Sequence, residues 1–249
     1  MVSTGTAEVL SSAFPEPKLG DAVYESYYPC YLHAKAGMHF TFSLNHVGGI
    51  LLQWYKDAMG SAEVEEAEAR GVGVYQLMDR KAPTEPTNLF VLPHFNGSGT
   101  PWCDLESKGA VVGLSLATTR HDIYRSVLES LALELRINLE TMERAGIRIE
   151  ELRAVGGGAK SPLWLGIKAD VLERPIHTLE VSEAACLGAA VLAGAASGVY
   201  GSVDEGVERA VRLQRSYRPD PGRASRYAEK YAIYKELYPA LEPVNRRLS

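Results

Sequence analysis

The sequence has little cysteine, no excess of basic residues and no long hydrophobic run. Its 249 residues include only Cys30, Cys103 and Cys186, which are far apart and lack C-x-x-C spacing. Cysteines spaced in this way are expected to be small packed side chains in a cytoplasmic protein. They predict neither a disulfide framework nor a zinc site. The net charge of −5 argues against a nucleic-acid-binding surface. The lack of an apolar stretch of spanning length and of a signal-peptide pattern predicts no membrane association.

The remaining composition is that of a globular protein, with 46% hydrophobic and 23% charged residues. Residues 47–59 predict an amphipathic helix, and residues 122–144 predict a long helix with one apolar stripe and Glu129 outside it. Residues 63–70 form an acidic patch typical of a solvated helix face. In the second half, strand-like and helical segments alternate up to a helix at 183–197, whose small residues permit close contact with a neighbour. This alternation predicts a parallel or mixed sheet with helices on its faces.

The most informative segment is Leu152–Trp164, where a short apolar run meets three glycines and then a helix start. Glycine lets the backbone approach a ligand closely, and a helix N-terminus attracts anions. Ser161 and Pro162 are typical N-cap and N1 residues of that helix. A dinucleotide site would need glycine where Ser161 stands, although Glu180 has the expected spacing. A mononucleotide site and a purely structural turn are the two other interpretations of this segment.

Three further segments carry weaker signals of phosphate binding. Gly5 and Thr6 form a tight turn with a hydroxyl, and only a few residues precede it, so the chain is expected to begin inside a hairpin. Gly49 and Gln53 place bare backbone and an amide one helical turn apart. The loop at 96–101 offers several backbone N–H groups. Each feature taken singly also fits an ordinary turn or a solvent-facing side chain.

Two motifs follow this loop. One is Gly109-x-Val-x-Gly-Leu114, and after seven residues comes Asp122-Ile-x-x-Ser-Val-Leu-Glu129. They resemble the C-terminal signature of the FGGY family of carbohydrate kinases. Residues 156–164 look like that family's adenosine-binding turn, 183–190 like its small-residue helix, and Thr4-Gly-Thr6 like its phosphate-binding hairpin. The resemblance keeps the family's order from residue 1 to about Tyr238 and is closest to the xylulokinase-like branch.

The resemblance implies an α/β fold of the actin and hexokinase type, a ribonuclease H-like ATPase domain with a mixed sheet flanked by helices. Residues 1–249 would then form a single domain, the C-terminal nucleotide-binding lobe, with the N-terminal sugar lobe absent. The family's general-base aspartate lies shortly upstream of the phosphate hairpin. No catalytic residue and no metal ligand is therefore assigned in this chain.

The resemblance also assigns a nucleotide site residue by residue. Gly157, Gly158 and Ala159 would face the adenosine, and Ser161 opens the helix beside it. Where the glycerol kinase branch has an adenine-binding Asn, this chain has Pro162. The remaining residues of the site would contact the ribose and phosphates, and they are Gly5, Thr6, Gly49 and Gln53.

The expected activity is ATP-dependent phosphorylation of a sugar or polyol, with a pentulose such as xylulose favoured. ATP or ADP and Mg²⁺ would be the cofactors, and the sugar would be bound through the missing lobe, so that the isolated chain is expected to be inactive. A non-catalytic nucleotide-binding or interaction module is the main alternative, and a dehydrogenase is a weaker one. Nucleic acid and membrane partners are not expected. Homodimer formation is left open.

Overall fold

The computed structural model describes residues 1–248, which fold around a seven-stranded mixed sheet and a separate two-stranded sheet. The strands are β1 Val2–Thr4, β2 Glu8–Phe14, β3 Tyr31–Leu32, β4 His39–Asn45, β5 Phe90–Leu92, β6 Ala110–Val112, β7 Leu152–Val155, β8 Ile176–Leu179 and β9 Leu213–Tyr217. The helices are α1 Asp21–Tyr24, α2 Gly49–Met59, α3 Ser61–Arg70, α4 Val74–Lys81, α5 Arg120–Arg144, α6 Pro162–Leu172, α7 Ala184–Ala196, α8 Val203–Ala210 and α9 Pro221–Asn245.

The large sheet has the order β3-β4-β2-β1-β7-β8-β9. Strand β1 pairs antiparallel with β2 and parallel with β7, so a three-residue strand occupies the centre of the sheet. The chain enters β2 through the hairpin that the Gly5-Thr6 turn predicts. Strands β7 and β8 are parallel, and β9 returns antiparallel at the edge. The predicted mixed sheet flanked by helices is confirmed.

Helix α5 runs through the middle of the molecule. It begins with a capping box in which the Thr119 side chain accepts from the Asp122 backbone N–H and the Asp122 side chain accepts in return. Its apolar residues enter two core clusters, one shared with α2, α6 and α9 and the other shared with the inner face of the large sheet. Buried positions occur all around the helix, so the prediction of a single apolar stripe was too narrow.

Two acidic side chains are buried, and for one of them the sequence predicted exposure. Glu63 was expected on a solvated face of α3, but it is 1% exposed and accepts hydrogen bonds from Arg120 and His121. Glu129 is fully buried against Arg125 and Lys230. Both carboxylates are buried because cations from other elements meet them there, which a local charge pattern does not reveal.

Several further expectations are corrected. Helix α7 forms as predicted, and its small residues allow a close approach to α8 and the turn before it, since a Cβ at Gly194 would lie 2.6 Å from the Tyr200 ring. Val191 is the one buried residue along this helix. Cys103 and Cys186 are exposed rather than packed. The short helices α1 and α8 and the strand β9 were not anticipated. Within residues 1–248, no helix combines the length and apolar character that crossing a bilayer requires.

Candidate functional site

The hairpin and the glycine turn meet because of sheet topology. Strands β1 and β7 are parallel neighbours, with Val2 opposite Ala154, so both strands end at the same edge of the sheet. The segments that follow them, the hairpin turn (Gly5 and Thr6) and the glycine turn (residues 156–158), therefore emerge side by side. A pattern separated by some 150 residues in sequence becomes one corner of the molecule.

The glycine turn lies directly against Thr4. Gly156 has φ +81°, and a Cβ there would lie 2.6 Å from the Thr4 carbonyl oxygen. A Cβ at Gly158 would lie 2.6 Å from the Thr4 Cβ and 3.0 Å from the ring of Trp164. Neither position accepts a side chain without displacement of its neighbours. Glycine is thus required here for the backbone of the turn to pack on the hairpin.

The N-terminus of α2 is held on the other side of the hairpin turn. The backbone N–H of Gly48 donates to the Thr6 carbonyl at 2.9 Å, and that of Gly49 donates to the Gly5 carbonyl at 2.8 Å. A Cβ at Gly49 would lie 2.6 Å from the same Gly5 oxygen. Gly49 therefore allows α2 to approach the hairpin closely. Its N–H is not free for a ligand, because it already donates to the Gly5 carbonyl.

A cavity of about 770 Å³ opens at this corner and is called the corner cavity below. Five of the eight residues that the sequence assigns to the nucleotide site line it. A Cβ at Gly5 would meet no atom within 4 Å, and one at Gly157 would meet only the Thr4 oxygen at 3.9 Å. These two glycines face open space that side chains would fill. The five lining residues are Gly5, Gly49, Gly157, Gly158 and Ser161.

The other three assigned residues do not line the corner cavity. Thr6 is exposed at the tip of the hairpin turn, and Gln53 is exposed on α2 one turn after Gly49. Ala159 packs against the core cluster beneath the sheet and lines a neighbouring cavity of about 300 Å³ together with Glu180. The structure thus brings five of the eight assigned residues to one cavity, and the sequence pattern did not determine which side chains point into it.

The wall opposite the glycine turn comes from α4, which sequence reasoning did not connect with the site. Asp79 lines the corner cavity and accepts hydrogen bonds from Tyr124 Oη and from Ser161 Oγ, both at 2.7 Å. Ser161 also caps α6 by accepting from the Trp164 backbone N–H at 3.0 Å, as its sequence position predicts. Burial raises the pKa of Asp79 above its usual value. No local signal marks Asp79, because its partners lie on α5 and α6.

The corner cavity combines an apolar interior with a polar rim, as small-molecule sites commonly do. Leu52, Leu128 and Trp164 contribute apolar surface, while the exposed side chains of Lys160 and Arg215 stand at the border with the neighbouring cavity. These two cations can attract an anionic ligand. Among residues 1–248, no group of three or more His, Cys, Asp or Glu side chains is arranged to hold a metal ion.

The loop at 96–101 belongs to a different part of the molecule. Asn96 and Gly97 line a separate cavity of about 500 Å³ near His46. Thr100 is buried, with its hydroxyl accepting from the Leu44 N–H and donating to Asn138. The loop does not line the corner cavity.

Comparison with known proteins gives consistent matches. The C-terminal domain of the FGGY family of carbohydrate kinases matches residues 1–197. The chain is 32% identical over 236 residues to a ribulokinase of Bacillus licheniformis, which covers 89% of this chain and 41% of that protein. It is 26% identical over 248 residues to a xylulose kinase of Bacillus subtilis, covering 100% of this chain and 48% of that protein. A glycerol kinase of Ralstonia nicotianae is 38% identical over 174 residues, 70% of this chain and 33% of that protein.

Solved structures agree with the sequence relatives. A Brucella ovis protein described as a xyloylose kinase superposes with a TM-score of 0.83 at 29% identity, covering 98% of this chain and 48% of that one. The xylulose kinase of Rhodospirillum rubrum gives a TM-score of 0.82 at 27% identity, with 98% and 47% covered. These neighbours confirm the predicted fold. The chain spans less than half of the length of each of these proteins.

Proposed function

Because the chain belongs to the FGGY family of carbohydrate kinases and corresponds to their C-terminal domain, we propose that it binds the adenine nucleotide in an enzyme that transfers a phosphoryl group from ATP to a sugar or polyol. The observation that carries this proposal is the corner cavity, where the hairpin turn and the glycine turn leave open space at Gly5 and Gly157. Backbone without side chains at a helix start suits a phosphorylated nucleoside.

Five of the assigned residues line the corner cavity and would lie against such a ligand. Gly157, Gly158 and the Ser161 end of α6 would face the nucleoside, with Ala159 supporting the turn from behind. Gly5 and Thr6 would hold the terminal phosphates at the hairpin turn. Gly49 and Gln53 would lie near the ribose and phosphates; Gly49 acts through the close packing of α2 on the hairpin, since its own N–H is engaged.

The chemistry divides between this chain and a second lobe. Phosphoryl transfer depends on positioning donor and acceptor in line and on neutralising phosphate charge. Mg²⁺ bound with the nucleotide would supply that neutralisation. This chain would bind and orient the nucleotide, whereas the acceptor and the general base would be held by the second, sugar-binding lobe. In this arrangement residues 1–249 are one lobe of the enzyme and are inactive when isolated.

A pentulose such as xylulose is the proposed acceptor. Support comes from the ribulokinase and the xylulose kinase, which match 89% and 100% of the chain, whereas the glycerol kinase matches 70%. A coupled assay with ATP, Mg²⁺ and xylulose, ribulose or glycerol, run on the chain alone and on the chain combined with a relative's N-terminal lobe, tests the acceptor and the division of labour. Robust turnover by the chain alone would contradict the one-lobe arrangement.

Nucleotide binding is tested by isothermal titration of ADP with Mg²⁺ into the chain and into Gly157→Val. The Cβ of the added side chain would meet only the Thr4 oxygen at 3.9 Å, so stability should change by less than about 0.5 kcal/mol. ADP affinity should fall by about tenfold or more, because the side chain occupies space meant for the nucleoside. Gly166→Ala is the matched control, since Gly166 also has open space around it but lies outside the cavity lining. Absence of ADP binding by the unaltered chain at millimolar concentration would refute the proposal.

A further inference from the structure

A buried ion pair lies directly beneath the hairpin. The Lys168 ammonium, 1% exposed, donates to Thr4 Oγ1 at 2.8 Å and forms a charged hydrogen bond with Glu8 Oε1. The Thr4 hydroxyl donates to the same Glu8 oxygen at 2.7 Å. We call these three residues the hairpin cluster. They join β1, β2 and α6, so that one small network fixes the relative position of the hairpin and the helix that follows the glycine turn.

The hairpin cluster is connected to the corner cavity through Thr4. Thr4 lines the cavity, and its Cβ is the atom against which Gly158 packs. The ring of Trp164, which also lines the cavity, lies 3.9 Å from the Lys168 ammonium in a cation–π contact and supports Gly158 from the other side. Lys168 thus contacts both side chains on which the glycine turn lies.

Stability is a weak reason for such a pair. Desolvation of two charges offsets most of their attraction, and well-packed apolar replacements of buried ion pairs are often neutral or stabilising. Burial lowers the pKa of Lys168, as expected for this desolvation. Glu8 Oε2, moreover, is buried without a hydrogen-bond partner among residues 1–248. A pair that is costly and incompletely matched fits a role in fixing geometry better than a role in holding the fold together.

We propose that Glu8 and Lys168 are positioning residues for nucleotide binding, holding the hairpin turn at the distance from the glycine turn that a nucleoside diphosphate spans. They act through Thr4 and Trp164 and do not touch the ligand. The inference rests on the proposed function, because it concerns the same cavity. In this inference, the hairpin cluster aligns the phosphate end of the site with the nucleoside end.

The test replaces both charges together, Glu8→Leu with Lys168→Met, so that no unpaired charge remains. The fold should persist with a urea midpoint close to that of the parent chain. ADP affinity should fall by about tenfold or more, the worth of a charge-assisted contact with phosphate, while adenosine affinity should change by less than about threefold. A structural role alone would leave the ratio of the two affinities unchanged. Asp170→Asn with Arg223→Met is the matched control, because it removes another ion pair of α6 whose members do not line the cavity.

Thr4→Val supplies a second variant if the double replacement fails to fold. It keeps the side-chain volume and removes the hydroxyl that accepts from Lys168 and donates to Glu8. The same loss of ADP affinity with retained adenosine affinity is expected. An unchanged ADP-to-adenosine ratio in either folded variant would overturn the inference.

Hydrogen–deuterium exchange separates this inference from the proposed function, since it needs no ligand. Peptides covering residues 1–8 and 153–161 should exchange about tenfold faster or more in both variants, because each variant removes contacts that hold Thr4 against Lys168, whereas α9 peptides should not change. If the parent chain binds no ADP, the proposed function fails, and the exchange rates still decide whether the hairpin cluster aligns the two turns. Unchanged exchange in both peptides would overturn it.

Discussion

Helices α5 and α6 each contribute to a buried ion cluster, and the two clusters are satisfied to different degrees. On α5, one oxygen of Glu129 accepts from Arg125 at 2.8 Å and from Tyr227 at 3.0 Å, while the other accepts from Lys230 at 2.6 Å and from the Thr87 hydroxyl at 2.8 Å. In the hairpin cluster on α6, one oxygen of the carboxylate carries all the hydrogen bonds and the other has no partner among residues 1–248.

This difference follows the location of each cluster. The α5–α9 cluster (Arg125, Glu129 and Lys230) joins two long helices and the segment before β5, and none of its members lines the corner cavity. A fully matched network in a low-dielectric interior is rigid and costly to break. The hairpin cluster borders the cavity through Thr4. Of these two clusters, the fully matched one belongs to the scaffold, and the incompletely matched one borders the candidate site.

The largest expected effect comes from breaking the matched cluster. Lys230→Met removes one of the two cations that contact the buried Glu129 carboxylate. We therefore expect the free energy of unfolding to fall by about 3–5 kcal/mol. Urea denaturation measures this. Arg226→Ala is the control, because Arg226 lies one turn away on α9 and its pair with Glu85 is half exposed; it should cost less than about 1 kcal/mol. Equal losses in the two variants would mean that the cluster is not the stabilising feature described here.

A smaller effect is expected from a substitution that crowds Thr4, the residue that connects the hairpin cluster to the cavity. Gly158→Ala places a methyl group 2.6 Å from the Thr4 Cβ, so Thr4 or the glycine turn must shift at a cost of about 1–3 kcal/mol. Nucleotide affinity should fall in the same variant. Gly166→Ala, in open space within α6, should instead stabilise the chain by about 0.5–1 kcal/mol. A Gly158→Ala chain with parental stability would contradict the close packing of turn and hairpin.

The smallest effect concerns Asp79, a partly buried carboxylate that accepts from two hydroxyls and pairs with no cation of residues 1–248. Burial raises its pKa above 3.8, so the folded state holds the proton more tightly than the unfolded state does. That contribution to stability is complete in acid and is lost as the pH rises through the raised pKa. Asp79→Asn lacks it. The free energy of unfolding of this variant should therefore gain on that of the parent chain as the pH rises from the ordinary aspartate pKa of about 3.9 through the raised pKa; a difference that stays constant as the pH rises would rule the effect out.

Sequence reasoning succeeded where the structural cause is local. The Ser161-Pro162 pair starts α6 because a serine oxygen caps the third N–H and proline fits the first turn, and the structure has this cap. The Gly5-Thr6 turn likewise predicted the hairpin, and alternation of strands and helices predicted the mixed sheet. The exposure of Glu63 was predicted wrongly, and the burial of Glu129 was not predicted, because Arg120, His121 and Lys230 approach these carboxylates from distant positions along the chain. That Gly5, Thr6 and Gly157–Ala159 bind nucleotide stays a prediction.

Local residue order thus dictated the caps, turns and helical segments, and with them the family resemblance, since each depends on neighbours within a few positions. The tertiary structure alone determines the parallel pairing of β1 with β7. This pairing brings residues 4–6 next to residues 156–158. The tertiary structure also decided three further features: which side chains point into the corner, the wall formed by α4, and the burial of Lys168 beneath the hairpin. They arise from contacts between segments far apart in the chain, and short-range patterns carry no information about such contacts.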